Sequence, residues 1–589
     1  MKRFARTIGW GSLGLSLSAI GLFAACGDNG QKSKKQDPEN LGAAGAAGAE
    51  FAPPPQTHNA GGSGGTAVHS DDGFTGSNAG AAGAAGAGGA AGAAGAGAQE
   101  DLEPECVPTE DEPDGDFSDT NCDGIDGDAS RAVFVANEGS DEADGTMEAP
   151  VQTLQHAVEL ASEQDKNVYI CNGTYVENVV LEHAVSLYGG YDCENGWHRI
   201  TDRASIEPEA GVPLSVIGVE DALVVDRLAL RAPATAAASE SSQAARVANS
   251  QGVLFSRVEL RAQAGSPGKQ GTDGEVIEDS QAPKGDDGAD AALAKCQTRY
   301  TLDSACQEAA DGGVGFTLQC TDPYGVYQNR GGRGGDGANA WLAGASCGDT
   351  VDGGAGQAGS PETSSLDGSD GAAAKDGVTS ISGFGSIPDG LYRATNTGTN
   401  GAPGKRGLPG RGGSGGDSVM WLTNQGFCEG DFSRGGGGGQ GGYGGCAGFP
   451  GTSGGAGGGS IGLVVINSRF AMDRSTIITG DGGDGGRGGE GSLGQKGGEP
   501  GTGGDGSTAS GNLSSTNRGQ DGGHGGDGSR GGHGGAGAGG PSIGIVVVGY
   551  EPVLNDCTFN LGQPGRGGSA VAGAQAADGE NVQVYWTPL

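Results

Sequence analysis

The sequence predicts an all-β chain: a narrow solenoid of short strands, interrupted by glycine-rich excursions and preceded by a disordered N-terminal tether. Three observations predict it. Short β-branched apolar runs recur along the chain, among them Leu214-Ser215-Val216-Ile217, Ala222-Leu223-Val224-Val225 and Gly252-Val253-Leu254-Phe255. Glycine then returns at every third position between later runs, as at Gly519, Gly522, Gly525, Gly528, Gly531, Gly534, Gly537 and Gly540. Only 34% of residues are hydrophobic and 5% aromatic, too few for a wide core and enough for a narrow stack.

A period of three is neither the 3.6 of an α-helix nor the 2 of a strand; it belongs to the extended, left-handed polyproline-II family, which has no internal hydrogen bonds. Glycine lets such segments approach until the N–H groups of one meet the carbonyls of the next. The register also holds over residues 398–416 and 436–457. An outward arm, 480–506, and a return arm, 519–540, are similar in length and are joined by a polar turn at 507–518. Residues 398–416 and 436–457 repeat the plan around a turn containing Cys428. At about 3.1 Å per residue, each long arm reaches roughly 65 to 80 Å. Little proline and frequent interruption argue against a collagen triple helix. Flanking strands such as Thr476-Ile477-Ile478-Thr479 and Ile543-Gly544-Ile545-Val546 favour ordered polyglycine-II excursions over a flexible coil.

From the first residue, Lys2, Arg3 and Arg6 precede an apolar stretch from Ile8 to Phe23, the pattern of a signal peptide. Phe23-Ala24-Ala25-Cys26 resembles a bacterial lipobox, with Leu22 one place earlier than the usual apolar position, which implies lipidation at Cys26. Gly27 after the cysteine points to a lipid anchor at the outer membrane or cell surface of a Gram-negative bacterium. Residues 27–100 are Ala, Gly, Ser and Pro with scattered charge and cannot build a core. They read as a tether with a reach of roughly 45 Å.

The chain carries 34 basic and 73 acidic residues, a net charge of −39, which argues against nucleic acid as a partner. Of 12 cysteines, Cys26 is the lipid site, and the others face an oxidising compartment. Proximity in sequence suggests pairing Cys106 with Cys122, Cys171 with Cys193, Cys296 with Cys306, Cys320 with Cys347 and Cys428 with Cys446. Cys557 is left over in a strand-like run, as a buried free thiol. Spacing alone does not fix connectivity.

Residues 101–130 are rich in aspartate. Asp119-Thr120-Asn121-Cys122-Asp123-Gly124 fits the first half of a calcium loop, in which alternating oxygens face one hard cation and the glycine allows the turn beneath it. Ser130 stands where an EF-hand has glutamate, so Asp126 or Asp128 has to complete a shell begun by Asp119, Asn121 and Asp123. The stretch resembles the aspartate-rich calcium motifs of the thrombospondin type-3 or dockerin sort. The competing reading is a solvated acidic linker.

Residues 131–262 then give Val133-Phe134-Val135-Ala136, an amphipathic helix from Gln155 to about Gln164, Val168-Tyr169-Ile170-Cys171, Gly173-Thr174-Tyr175-Val176-Glu177 and Val185-Ser186-Leu187-Tyr188-Gly189-Gly190-Tyr191. This order resembles the N-terminal end of right-handed parallel β-helices of the pectin-lyase-like superfamily, particularly lipoproteins of the DUF1565 type. The resemblance is good over residues 132–192 and thins beyond. It implies a parallel β-helix whose open first coil is covered by the helix. Residues 263–589 continue with further rungs, expected at Trp341-Leu342, at Val419-Met420-Trp421-Leu422, at Ser460-Ile461-Gly462-Leu463-Val464-Val465-Ile466 and at its near copy from Ser542 to Val548. Gln583-Val584-Tyr585-Trp586 closes the far end.

Because that fold family includes polysaccharide lyases and hydrolases, catalysis has to be sought in the residues. The polygalacturonase elements N-T-D, D-D, G-H-G and R-I-K occur only as fragments, Asp286-Asp287 and Gly523-His524-Gly525, and these sit in the glycine runs. His524 and His533 read as outward polar residues. Three classes of function stay open: a surface binding or adhesion protein presenting the turns 507–518 and 419–433 to a glycan or another cell, a passive surface component, and a polysaccharide-acting enzyme.

Overall fold

The computed structural model describes residues 109–293, 308–339, 349–362, 364–419, 433–508 and 512–587. The signal peptide, Cys26 and the tether 27–100 lie outside the described residues, so the chain is followed here from the acidic segment onward.

Most of the regular structure is strand, arranged in parallel sheets, as the all-β expectation requires. Three parallel sheets form the body, and the chain visits them in a fixed order. Asn167–Cys171 joins the first sheet, Thr174–Tyr175 the second and Val179–Leu181 the third. Leu187–Asp192, Ala204–Ile206 and Leu214–Ile217 repeat the circuit, and so do all later passes to Asn581–Thr587. Register is kept between passes by stacking like on like. Val225, Phe255, Met472 and Leu554 sit one above another in the first sheet, and Leu230, Leu260, Ile477 and Phe559 do so in the second. Inward residues of all three sheets share one apolar core. Ser460–Ile466 and Ser542–Val548 pair in register, Ser460 opposite Ser542 and Ile461 opposite Ile543, so the near copies in sequence are neighbours in space. Both run as unbroken apolar strands because the outer face is covered as well: Tyr392 packs on Ile461, Val464, Ile543 and Val546.

The predicted helix is present as Leu154–Gln164, burying Leu154, Ala157, Val158 and Ala161 at helical spacing. Its first turn is capped from a distance. The Glu177 carboxylate accepts from the Leu154 N–H (2.7 Å) and the Gln155 N–H (3.0 Å), which gives the Glu of the Thr174–Glu177 stretch its role.

The glycine-rich segments leave the body at one corner, always between a strand of the second sheet and the next strand of the third. Glu259–Arg261 is followed by Ser460–Ile466, Thr476–Ile478 by Ser542–Val548, and Thr558–Asn560 by Asn581–Thr587. We number the arms in chain order: arm 1 (265–292), arm 2 (330–339), arm 3 (366–380), arm 4 (396–416), arm 5 (435–459), arm 6 (480–506) and arm 7 (517–540). Arm 5 lies at the centre. Its N–H groups turn to three neighbours in succession: Gly436 donates to Asn517 of arm 7 (3.0 Å), Gly437 to Ala289 of arm 1 (2.9 Å) and Gly438 to Gly335 of arm 2 (2.8 Å). The next triplet repeats the pattern, with Gly439 to Gln520, Gln440 to Asp286 and Gly441 to Gly332, each 2.9 Å. Arm 4 donates into it from Gly398 to Gly454 (3.1 Å) through Gly416 to Gly436 (2.8 Å). The two long arms meet antiparallel, from Gly519 to Gly504 (2.9 Å) to Gly540 to Gly483 (2.8 Å).

At Val419 the expected rung is not found in the sheets. Ser242–Ala248 pairs directly with Ser460–Ile466, leaving no place for a strand between them. Val419 instead belongs to a short antiparallel pair with Thr350–Val351, because the chain at that point is at the far end of the arms. Residues 420–422 and Trp341-Leu342 lie outside the described residues.

A Cβ on Gly525 would collide with the Tyr443 carbonyl of the central arm, whereas the His524 side chain beside it is exposed and pairs with exposed Glu499. Gly525→Val is expected to cost about 1–3 kcal/mol, and His524→Ser less than about 0.5 kcal/mol. Paired thermal melts check the difference.

Candidate functional site: the arm ends and the acidic strap

At the end of the arms away from the sheets, the flanks of both predicted display turns come together. Ser433–Arg434 pairs with Gly506–Thr508, which pairs in turn with Leu513–Ser514, and the Val419 N–H donates to Ser433 Oγ (3.3 Å). Arg434 is buried there and ties in two more segments, donating to the carbonyls of Ala292 (2.7 Å) and Glu308 (2.6 Å). Ser418 Oγ donates to Asn339 O (2.7 Å). The tip is therefore a junction of several chain reversals. The turn residues 420–432 and 509–511 lie outside the described residues.

The acidic segment is folded as a strap on the outer face of the first sheet. Ile125 is buried against Phe134, Tyr169, Tyr191 and Trp197, the Tyr191 hydroxyl donates to Asp126 O (2.7 Å), and the Asp128 N–H donates to the Tyr169 hydroxyl (3.0 Å). Beneath it the fully buried Arg199 bridges Asp126 (3.2 Å) and Asp226, and Arg257 holds the other Asp226 oxygen (2.8 Å). The rings of Tyr188 and Tyr191 lie 5.6 and 5.5 Å from the guanidinium. Burial pushes the Asp126 carboxyl above its ordinary range, more than the Asp114 N–H and Arg199 pull it down.

That arrangement divides the five residues predicted to bind calcium. Asp119 accepts from the N–H groups of Asp123 (3.1 Å) and Gly124 (2.9 Å), Asn121 Oδ1 from Asp123 (3.0 Å), and Asp123 from Ile125 (3.2 Å) and Ala129 (2.8 Å), so these three crowd one turn. Asp126 is turned inward to Arg199, and Asp128 caps a 3-10 turn through Ser130 (2.9 Å). No group of three His, Cys, Asp or Glu arranged for a metal occurs among the described residues.

Cys171 and Cys193 are bonded as expected (Cα–Cα 5.4 Å). Cys320 pairs with Cys446 (Cα–Cα 6.6 Å), not with Cys347, and Cys446 is thereby denied to Cys428. The reason is tertiary: a hairpin around Cys320 folds onto the central arm, a closeness that sequence distance conceals. Cys122 is disulfide-bonded, while Cys106, Cys296, Cys306, Cys347 and Cys428 lie outside the described residues. Cys557 is a free thiol, partly exposed rather than fully buried, and burial raises its pKa.

The fragments weighed as catalytic serve the arms. Asp286 accepts from Gly315 N–H (2.8 Å), Asp287 from Thr502 N–H (2.7 Å), and His533 Nδ1 from Gly491 N–H (3.1 Å). They belong to a wider device that the sequence reading missed. Where an outer arm has no neighbour for its N–H groups, an aspartate on an adjacent arm supplies the acceptor: Asp367 to His524, Asp370 to Asp527 and Asp376 to His533, each 2.8 Å, and Asp481 to Gln563 (2.7 Å) and Asp484 to Arg566 (2.8 Å). The signal was present as Asp in the same period of three as Gly.

No protein-family model, no curated protein and no solved structure matches this chain. What it does has to be argued from its own residues.

Two outcomes are expected. Arg199→Ala leaves Asp126 and Asp226 buried with one cation fewer and should cost about 3–5 kcal/mol, read by denaturant melts, with faster proteolysis of the strap. Asp287 is pushed up by burial, but the Lys284 ammonium and the Thr502 N–H and hydroxyl outweigh this and hold it below the usual carboxylate range. A depressed carboxyl contributes stability that is complete above its unfolded pKa and lost as pH falls through the folded one. The protection factor of the Thr502 amide should therefore drop below about pH 4, while that of Gly439, whose acceptor is a backbone carbonyl, holds.

Proposed function

We propose that the chain is a non-catalytic, lipid-anchored surface protein of the binding or adhesion type, in which a right-handed parallel β-helix supports a polyglycine-II bundle that carries the tip away from the membrane. One observation carries this reading: the hydrogen bonds between arms 7 and 6 keep the period of three from the tip, Gly519 to Gly504 (2.9 Å), to the base, Gly540 to Gly483 (2.8 Å). Bonds in unbroken register make a spacer of roughly 65 Å, and a spacer implies that its far end has work to do. The cyclic order of the three parallel sheets supports the β-helix, and the helix Leu154–Gln164 covers its first coil. The engagement of Asp286, Asp287 and His533 as backbone acceptors favours binding over polysaccharide cleavage. The lipid anchor rests on the signal sequence and Cys26, and partners other than nucleic acid, such as a glycan or another cell surface, fit the acidic chain. Calcium is proposed at Asp119, Asn121 and Asp123, with Asp126 or Asp128 completing the shell.

Hydrogen exchange tests the spacer: amides 519–540 are expected to exchange far more slowly than those of the Ala/Gly tether, and equal rates would end the proposal. Cys26→Ala is expected to release the protein to soluble fractions or leave the precursor uncleaved. Titration calorimetry tests calcium, with heat expected for the native chain and lost in Asp123→Ala.

A further inference from the structure

A hairpin half-way along the arms, Leu318–Asp322 paired with Gly325–Asn329, is anchored more heavily than a chain reversal requires. Cys320 is bonded to Cys446 of the central arm. The Asn329 side chain makes both bonds a neighbouring arm would make to Gly444, donating to its carbonyl (3.2 Å) and accepting its N–H (2.9 Å). The Tyr327 hydroxyl donates to Gly407 O (3.0 Å), and Arg406 grips buried Asp322 with two bonds, 2.6 and 2.7 Å.

The outward side of this rigid unit is unusual for the chain. Aromatic residues are scarce, yet Phe316 is 57% exposed and Tyr324 47%, with Val314 and Val326 open beside them. Each exposed ring has a cation near its end of the hairpin. Lys405 Nζ lies 5.1 Å from the centre of the Tyr324 ring and donates to its hydroxyl (2.8 Å), and Arg330 Nε donates to the carbonyl of Val314 (3.0 Å), two residues before Phe316. Both cations are thus held by neutral oxygens. Neither forms an ion pair among the described residues, although acids outnumber bases 73 to 34 in the sequence. A five-residue strand separates the two ends, roughly 17 Å.

We propose that this face binds a linear acidic polysaccharide, its sugar rings lying on Tyr324 and Phe316 and its anionic groups on Lys405 and Arg330. An aromatic face accepts the apolar C–H side of a sugar ring at little entropic cost, since the hairpin is already fixed. Uncompensated cations select an acidic chain over a neutral one and make binding salt-sensitive. The inference deepens the binding reading by naming a ligand class and places the site on the flank of the arms instead of the tip.

The test uses the full chain and calorimetry with alginate hexasaccharide, against maltohexaose as the neutral control. Alginate is expected to bind and maltohexaose not, with affinity falling as salt rises. Tyr324→Ala should weaken binding at least tenfold, Lys405→Gln and Arg330→Gln each about fivefold, and Tyr324→Phe should restore native affinity. Slow exchange of amides 435–457 in each variant shows that the arms are intact. Equal binding of the two sugars, no binding of alginate, or affinity unchanged in Tyr324→Ala would overturn the proposal. Affinity lost on deleting residues 507–518 but kept in Tyr324→Ala would move the ligand to the tip and overturn it too. Absence of alginate binding with slow-exchanging arms leaves the spacer reading standing, whereas fast-exchanging arms remove that reading first.

Discussion

Everything beyond the three-sheet body depends on one interaction, the hydrogen bond from the N–H of one arm to the carbonyl of another. Fixing a residue's backbone costs about 1–2 kcal/mol, and more for glycine, while one such bond returns only about 0.5–1.5 kcal/mol net. No arm can therefore be ordered by a single neighbour. Arm 5 meets the condition by donating to arms 7, 1 and 2 through successive residues over 436–441 and by accepting from arms 4 and 6 along its length. The array is cooperative by construction. Its centre tolerates few side chains, and three that are present are bonded: Gln440 reaches Gly331 O (3.2 Å) and receives the Asp286 N–H (2.9 Å), Tyr443 bonds Phe316, and Cys446 is cross-linked.

The same accounting explains the acidity. At the edge of the arms an N–H faces water or nothing, and a carboxylate from the next arm accepts it in a charge-assisted bond. Much of what reads in composition as a solvated acidic surface is thus backbone completion. The acidic strap uses the same chemistry in a second way, closing its own turns with Asp111, Asp114, Asp119 and Asp123 and sending only Asp126 inward to Arg199. A carboxylate in this chain is first a partner for an amide. That is why Asp286 and Asp287, which resemble part of a catalytic motif, are found engaged with backbone.

Body and arms are coupled at one corner. Every arm pair is an insertion between the second and third sheets, so strands that stack on each other can be far apart in sequence: Ala245 meets Leu463 across the whole of arms 1 to 5. The covering of the third sheet by Tyr392, which comes from the link between arms 3 and 4, makes the base of the arms part of the body's packing.

The sequence by itself determined the all-β class, the helix at 154–164, the strands on either side of the arms, the pairing of long arms and the Cys171–Cys193 bond, because each is set by a local period or a short separation. Alternation, a 3.6 repeat and a glycine every third residue are written in consecutive residues. Only the tertiary structure decided which arm is central, that Val419 pairs at the tip instead of forming a rung, that Cys320 meets Cys446, and that Asp126 leaves the other acidic residues for Arg199. Those outcomes turn on which segments become neighbours across tens or hundreds of residues. A triplet repeat carries no address for its partner, since every glycine offers the same N–H and the same carbonyl; the choice is made by arm length, by the corner from which the arms emerge, and by the few side chains, Gln440, Tyr443 and Asn329, that fit only one place.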